Sequence, residues 1–275
     1  SNVVTVGPIT MASGSPVIGT PVQTLTAVNR TTAGATIHRA CSSGLNAIAV
    51  AAQHIVHDGA TVMVGGGVDS ITFQGGGGGG RDDRLTELLP AFWMPMIDTA
   101  DIVAERYGLS REYQDEYSLR SQKLMAAAQE AGKFKDEIIS VKTRMKVVDK
   151  VTKAESMVDA VVDRDECNRP DTTLAGLAKL EPVKGPGKFI TAGNASQLSD
   201  GAAAVVLMEA REAEKRGLQP LGAFKGWAVA GCQPDEMGIG PVFAIPKLLA
   251  RHGLKIGDID LWELNEAFAS QCLYS

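Results

Sequence analysis

The chain has 275 residues, 44% hydrophobic and 5% aromatic, with 30 glycines and a formal net charge of −5, a composition that supports a large buried core. That mild acidic excess argues against a nucleic-acid or membrane-surface partner, which would show as a clustered basic face. Any anionic ligand must therefore be met by local positive charge. Four cysteines, at 41, 167, 232 and 272, are too sparse for a disulfide scaffold and too widely spaced for a C-x-x-C pair, so a reducing compartment and no metal are expected. No apolar run reaches the ~18 residues of a transmembrane helix, and the opening "SNVVTVGPIT" has no basic segment of a signal peptide.

In chain order, Leu45, Ile48, Ala52 and Ile55 recur at helical spacing and Asp58-Gly59 closes the segment, which predicts a buried helix. "ATVMVGGGVDS" follows. It predicts a buried strand over residues 61–64 that breaks into a glycine turn at Gly65 to Gly67. The tract "GGGGGGRDDR" (75–84) brings almost no side chains to bury and marks an exit from the first unit. Beyond it, Asp98 or Thr99 can cap a helix ending at Tyr107 before Gly108, and Ser110 can cap a longer one ending near Ala131 before Gly132.

Residues 136–153 form a β-prone, loop-rich run carrying Lys142, Arg144, Lys146, Lys150 and Lys153, an inserted excursion rather than part of a doubly wound core. Strand-like, small-residue character returns over residues 188–210. "LQPLGAFKGWAVAG" (218–231) then opens a second α/β unit, with a helix over residues 242–252 and a strand over residues 260–263. The fold class is α/β. Three parts are expected: 1–74 with 188–216 as a first half, 75–187 as the insert, and 217–275 as a second half.

The stretch "HRACSSGLNAI" places Cys41 at the start of the first helix, where unpaired N–H groups and a partial positive charge favour a thiolate. Ser42, Ser43 and Gly44 are small enough to admit a substrate. The alternative is an inert buried thiol among alanines. A G-x-nucleophile-x-G elbow is excluded, because Arg39 and Ser43 stand where the glycines would be.

Taken together, "HRACSSGLNAI", "MVGGGVDSIT", "MPMIDTADIVAERYGLSREYQDEYSLRSQK", "RPDTTLAGLAKLEPV", "TAGNASQLSDGAAAVVLMEA", "MGIGPVFAIPKLL" and "LNEAFASQ" resemble, in order and spacing, the thiolase family, and within it the degradative 3-ketoacyl-CoA thiolases. The resemblance covers nearly all of residues 36–275 and is weak before Thr36. It implies a five-layered αβαβα fold of two similar halves with an inserted loop domain over the CoA site, here incomplete at both ends. It implies thiolytic cleavage of a 3-ketoacyl-CoA by CoA, in fatty-acid β-oxidation, through an acyl-cysteine on Cys41. Asn265 of "NEAFA" would anchor a water in an oxyanion hole. Arg169 would reach CoA from the insert, Ser196 would bond the pantetheine arm, Met96 would line the acyl pocket and Phe268 would shape its wall.

Pro95 stands where biosynthetic members carry a histidine, which favours degradation. The family's downstream G-H-P histidine and C-x-G cysteine have no match in this chain. His38, His54, His57, His252 and Cys272 read as structural or solvated instead, with His252 meeting the last carbonyls of its helix. CoA is then a substrate and no cofactor is implied. The resemblance further implies a homodimer or homotetramer, with the small-residue stretch after Gly65 as an interface, in bacterial cytoplasm or, in a eukaryote, the mitochondrion or peroxisome. Alternatives are a biosynthetic acetoacetyl-CoA thiolase, a non-catalytic acyl-CoA-binding truncated thiolase, and a condensing ketosynthase.

Overall fold

The computed structural model describes residues 2–6, 34–69, 71 and 82–275. In chain order the elements are β1 (Asn2–Val6), β2 (Gly34–Ile37), α1 (Ser43–His57), β3 (Val62–Asp69), α2 (Asp83–Leu88), α3 (Met96–Arg106), α4 (Arg111–Glu130), β4 (Val141–Val148), β5 (Glu155–Val162), α5 (Leu174–Ala178), β6 (Gly201–Met208), α6 (Ala210–Lys215), α7 (Gly240–His252) and α8 (Ala269–Tyr274). They gather into two compact units. Ser1–Trp93, Leu198–Gly231 and Pro241–Asp260 form one, and Met94–Gln197, Cys232–Gly240 and Leu261–Ser275 form the other.

In the first unit the strand order is β2-β1-β3-β6. β1 runs parallel to both β2 and β3, and β6 pairs antiparallel with all eight residues of β3. Helix α1 packs on this sheet through Ala47 and Ala51, which join Met63 in a core flanked by Ile37, Ile55, Ala60 and Leu207. Of the four residues whose spacing predicts α1, only Ala52 is fully buried, and Leu45 is 57% exposed. The alanines between them form the buried stripe.

The strand does not break at Val64. β3 continues through Gly65, Gly66 and Gly67 to Asp69, so the predicted glycine turn is corrected. A Cβ on Gly65 would stand 3.2 Å from the Ile48 backbone, and one on Gly66 would stand 3.2 Å from the Ala203 carbonyl oxygen. These glycines serve close approach of helix to sheet and of strand to strand. Gly59, with φ +74, does close α1 beyond its C-cap Asp58, as the sequence indicates.

One further expectation is corrected, the strand over residues 260–263. Neither residues 218–231 nor residues 260–263 form a strand, because a strand exists only where a neighbour completes its ladder, and among the described residues no such neighbour faces them. Side chains from α7 take over part of that role. Lys247 donates to the Val229 carbonyl at 3.0 Å and Arg251 to the Trp227 carbonyl at 2.8 Å. His252 lies against Gly226, where a Cβ would meet its Nε2 at 2.5 Å. The glycine tract at 75–80 lies outside the described residues.

In the second unit, Ser110 accepts a hydrogen bond from the Tyr113 amide at 3.2 Å, and Gly108 and Gly132, at φ +65 and +69, end α3 and α4. These boundaries follow the capping signals. Helix α3 starts earlier than Asp98, with Pro95 at its N-cap, because Thr99 turns its hydroxyl back to the Met96 carbonyl and Asp98 pairs with Lys184 at 2.8 Å. The basic run forms a separate two-stranded sheet, β4 against β5. Its period-2 alternation puts Val141, Met145, Val147, Val158 and Val162 on one face and Lys142, Arg144, Lys146, Asp159 and Glu155 on the other.

The Pro234–Ile239 turn is clipped to α3. Arg106 bridges Asp235 at 2.7 Å and Glu236 at 2.5 Å, Tyr107 donates to Glu236 at 2.9 Å, and the Tyr107 ring stacks on Tyr274 with centroids 3.7 Å apart. The bond to Glu236, then loss of hydration, pushes the Tyr107 hydroxyl from its ordinary 10.0 up to about 12. Since the neutral phenol is the bonded form, this contribution is complete below pH 10.0 and is lost as pH rises through about 12. Absorbance titration of Glu236→Ala should show the Tyr107 phenol ionising at lower pH than in the wild type. In the first unit, Gly65→Ala should lower stability by about 1–3 kcal/mol in urea unfolding. Gly44→Ala, with nothing within 4 Å of the added Cβ, should not.

Candidate active site

Cys41 is exposed and lies one residue outside the N-cap of α1, which is Ser42. It is therefore not a core thiol. Ala40 before it has φ +42, a left-handed conformation that costs a residue with a Cβ roughly 1–2 kcal/mol. The turn is held by a set of short bonds. The Ser43 hydroxyl donates to the Ala40 carbonyl at 2.7 Å and accepts from the Arg39 amide at 2.7 Å, while the Ser42 hydroxyl donates to the Arg39 carbonyl at 3.0 Å. Arg39 is fixed in turn by Asn46 at 3.2 Å and by its position 5.6 Å over the Trp227 ring.

Both serines are thus spent on the turn, and Ser42 makes no side-chain cap to the helix. The Ser43 amide at the start of α1 donates to the Ala40 carbonyl at 3.0 Å, which closes the same turn from the backbone side. A cavity of about 460 Å³ opens next to this helix start, lined by Gly44, Ile48, Gly65–Asp69 of β3 and Gly201–Val205 of β6.

A second cavity, about 710 Å³, lies wholly in the other unit. Its walls are one face of α4 (Tyr117, Ser118, Ser121, Gln122, Met125), Cys167 and Asn168, residues 193–197, and residues 263–266 with Ala269. Two loops meet there. The Ser196 amide donates to the Ala267 carbonyl at 2.9 Å, the Ala269 amide to the Asn194 carbonyl at 2.9 Å, and Ala195 bridges Phe268.

The loop before Ser196 is fixed from beneath by buried side chains. Asp115 receives Arg111 at 2.8 Å and the Asn194 amide group at 3.3 Å, and Arg111 also donates to the Leu177 and Leu180 carbonyls at 2.7 and 3.0 Å. Asn194 accepts from the Thr191 amide at 2.8 Å, and Asp101 accepts from the Phe189 and Ile190 amides at 2.8 and 3.1 Å. The third wall is tied along α4. Gln122 accepts from the Arg169 amide at 2.6 Å, Lys123 donates to the Pro170 carbonyl at 2.8 Å, and Gln197 reaches the Cys167 carbonyl.

The structure therefore brings Ser196 and Asn265 to one cavity. Arg169 is exposed and follows the wall residue Asn168, but does not itself line the cavity. Met96 opens α3, 45% exposed, and lines neither cavity. Phe268 is half-buried at the N-cap of α8, beside the wall residue Ala269. Cys41 belongs to the other unit. Sequence reasoning missed Asn168, Tyr117 and Glu266. Asn168 is the most informative of the three, since its buried Nδ2 finds no partner among the described residues, and only its place beside Arg169 could have drawn notice. Cys272 is half-buried against the Asn265 carbonyl at 3.4 Å, and burial raises its thiol above the ordinary value.

Comparison with known proteins fits this arrangement. Residues 3–77 and 83–211 match the model of the thiolase N-terminal domain, and residues 218–275 match that of the thiolase C-terminal domain. The chain belongs to the thiolase family. The match from residue 3 corrects the view that the thiolase likeness is weak before Thr36, and its break between 77 and 83 overlaps the glycine tract. The chain is 47% identical over 245 residues to 3-ketoacyl-CoA thiolase 5, peroxisomal, of Arabidopsis thaliana, covering 87% of this chain and 53% of that protein. It is 42% identical over 274 residues to 3-ketoacyl-CoA thiolase A, peroxisomal, of Mus musculus, covering 98% and 63%. The chain thus spans between half and two thirds of the length of these thiolases. The dimeric peroxisomal thiolase of Saccharomyces cerevisiae superposes with a TM-score of 0.87 at 30% identity, over 99% of this chain and 68% of that one, so the α/β fold is the thiolase fold.

The buried Asp115 network generates a stability prediction. Asp115→Ala leaves the guanidinium of Arg111 and the amide of Asn194 without their shared acceptor, and should cost about 3–5 kcal/mol in chemical unfolding. Glu112→Ala, an exposed neighbour on the same helix, should cost less than about 1 kcal/mol.

Proposed function

We propose that this chain carries the nucleophile and the CoA-arm site of a degradative 3-ketoacyl-CoA thiolase. The observation that carries the reading is the second cavity, where the "TAGNAS" and "NEAFA" loops are stitched together and present polar side chains that remain uncommitted. Among the described residues, no hydrogen bond engages the Ser196 hydroxyl, the Asn265 carboxamide or the Asn168 Nδ2. A polar arm with amides and a thioester carbonyl supplies matching donors and acceptors.

In this reading the sulfur of Cys41, exposed just ahead of α1, attacks the 3-keto carbon as the thiolate. The C2–C3 bond breaks, its electron pair leaves on C2 as the enolate of acetyl-CoA, and protonation at C2 releases acetyl-CoA. The acyl group stays on Cys41 as a thioester. A second CoA thiol gives up its proton, attacks that thioester, and returns Cys41 as the thiolate, leaving an acyl-CoA two carbons shorter. Negative charge on oxygen develops in both halves, and the Asn265 carboxamide, through a water, stabilises one of these oxyanions.

Ser196 and Asn168 hold the pantetheine arm. Arg169 meets the phosphates, assisted by the basic face of β4, which the net charge of −5 makes necessary. Met96 and Phe268 shape the acyl chamber, and residues 75–187 form the insert over CoA. We read the assembly as a homodimer or homotetramer. Among the described residues no helix is long and apolar enough to cross a membrane. We read the compartment as bacterial cytoplasm, or the peroxisome or mitochondrion in a eukaryote; the two curated relatives bear peroxisomal names.

Mass spectrometry of the chain after exposure to acetoacetyl-CoA tests this. An acetyl group on the Cys41 peptide, discharged by added CoA and absent in Cys41→Ala, is the expected result. Acyl-CoA bound without any adduct would favour the non-catalytic binding reading instead.

A further inference from the structure

The wall of the second cavity contains a contact that the proposed reaction does not use. Tyr117 and Ser121 stand one turn apart on the same face of α4, and both donate to one carboxylate. The Tyr117 hydroxyl bonds Glu266 Oε1 at 2.7 Å and the Ser121 hydroxyl bonds Glu266 Oε2 at 2.6 Å. Glu266 directly follows Asn265. On the other side, the Asn265 carbonyl accepts from Gln271 Nε2 at 3.4 Å and from Cys272 Sγ at 3.4 Å, both on α8.

The Asn265 backbone is thus braced from α8 through its own carbonyl and from α4 through the side chain of its neighbour. Its carboxamide makes no hydrogen bond among the described residues. We propose that Tyr117 and Ser121 are positioning residues, whose joint grip on the Glu266 carboxylate fixes the Asn265 carboxamide in the cavity for its part in the reaction. The inference rests on the reading of Asn265 given above.

The geometry suits this role better than that of a generic staple. Residues 259–266 carry no ladder of their own, so Asn265 has no sheet to fix its direction. Two charge-assisted bonds to separate oxygens of one carboxylate restrict rotation of that side chain as well as its distance. Burial, then the Glu266 carboxylate, raises the Tyr117 hydroxyl well above its ordinary value, so it remains a donor throughout the neutral range. An oxyanion donor displaced by about 1 Å is worth roughly a hundredfold in rate, and preorganisation of such a donor is what a loop residue lacks.

The test uses the full chain, acetoacetyl-CoA and CoA, with Tyr117→Phe, Ser121→Ala and their combination. Each single change should lower kcat roughly tenfold and the pair roughly a hundredfold, with KM for both substrates within about twofold. Ser110→Ala, which removes the cap of the same helix without touching Glu266, should lower stability and leave kcat unchanged. If Ser110→Ala lowers kcat as much as Tyr117→Phe, or if the double variant changes KM alone, the positioning role is overturned.

Amide hydrogen exchange supplies a readout that needs no turnover. The double variant should speed exchange of the peptide covering residues 264–268, and unchanged exchange there overturns the clamp. A wild-type chain without thiolysis, but with faster exchange in the double variant, would instead sink the assignment of the reaction and leave the clamp standing.

Discussion

The pair formed by half-buried Arg111 and buried Asp115 is the constraint on which the candidate site depends. Loops can line a cavity only if their own carbonyls and amides are satisfied away from water. Here one guanidinium takes the Leu177 and Leu180 carbonyls, while one carboxylate takes that guanidinium and the Asn194 side chain. Asn194 then orders the Thr191 turn and accepts the amide of Ala269 at the head of α8. The chain of bonds runs from the interior of α4 to both loops of the cavity. Breaking it at the carboxylate would take the shared acceptor from two groups at once, the Arg111 guanidinium and the Asn194 amide, which is why so much of the unit's order is concentrated in so few atoms.

Helix α4 explains its own composition by this arrangement. Its sequence, "REYQDEYSLRSQKLMAAAQE", is far too polar for a helix that merely covers an apolar core. Its buried residues are Gln114, Asp115 and Ser118, and its cavity face carries Tyr117, Ser121 and Gln122. Each of these side chains except Gln114 and Ser118 reaches out to another segment; those two bond the helix's own flanks, at Leu109 and Gln114. The helix is a rigid rail to which loops are attached, and its polarity is the means of attachment. The first unit works the opposite way. There alanine and glycine keep side chains minimal so that α1 and the strands approach closely, with Ile48 over Gly65 and Ala203 beside Gly66 leaving no room for a Cβ.

What the sequence discloses follows this contrast. The caps at Ser110, Gly108 and Gly132 are local devices, and their positions are readable because the physics acts within four residues. The glycines at 65–67 are misleading for the same reason. Alone they signal a turn, and only the presence of Ile48, seventeen positions earlier in the chain, shows that they serve a strand. Residues 218–231 and 260–263 have strand-like composition without strand structure, because pairing is a property of two segments and composition belongs to one. Ser196 and Asn265 are recognisable from their motifs, but the bonds that place them in one cavity are not. Tyr117 and Glu266 stand inside stretches that carry the family resemblance, and Asn168 stands beside Arg169, but nothing local singles them out from their neighbours, because their partners are distant in the chain.

The turn at Cys41 shows how strain and access are reconciled. Ala40 occupies a left-handed conformation that glycine would adopt without cost, so the surrounding bonds must over-determine it. They do so with Ser42, Ser43 and the Arg39 backbone, and Asn46 and Trp227 hold the Arg39 side chain in place. The two serine hydroxyls that flank the sulfur in sequence are directed into the turn instead. Cys41 is left exposed, one residue ahead of a helix whose first amides are not capped by Ser42. The hydroxyls of the "CSSG" stretch therefore act on the backbone rather than on the thiol. What they supply is a fixed backbone path through the turn, from which Cys41 emerges exposed.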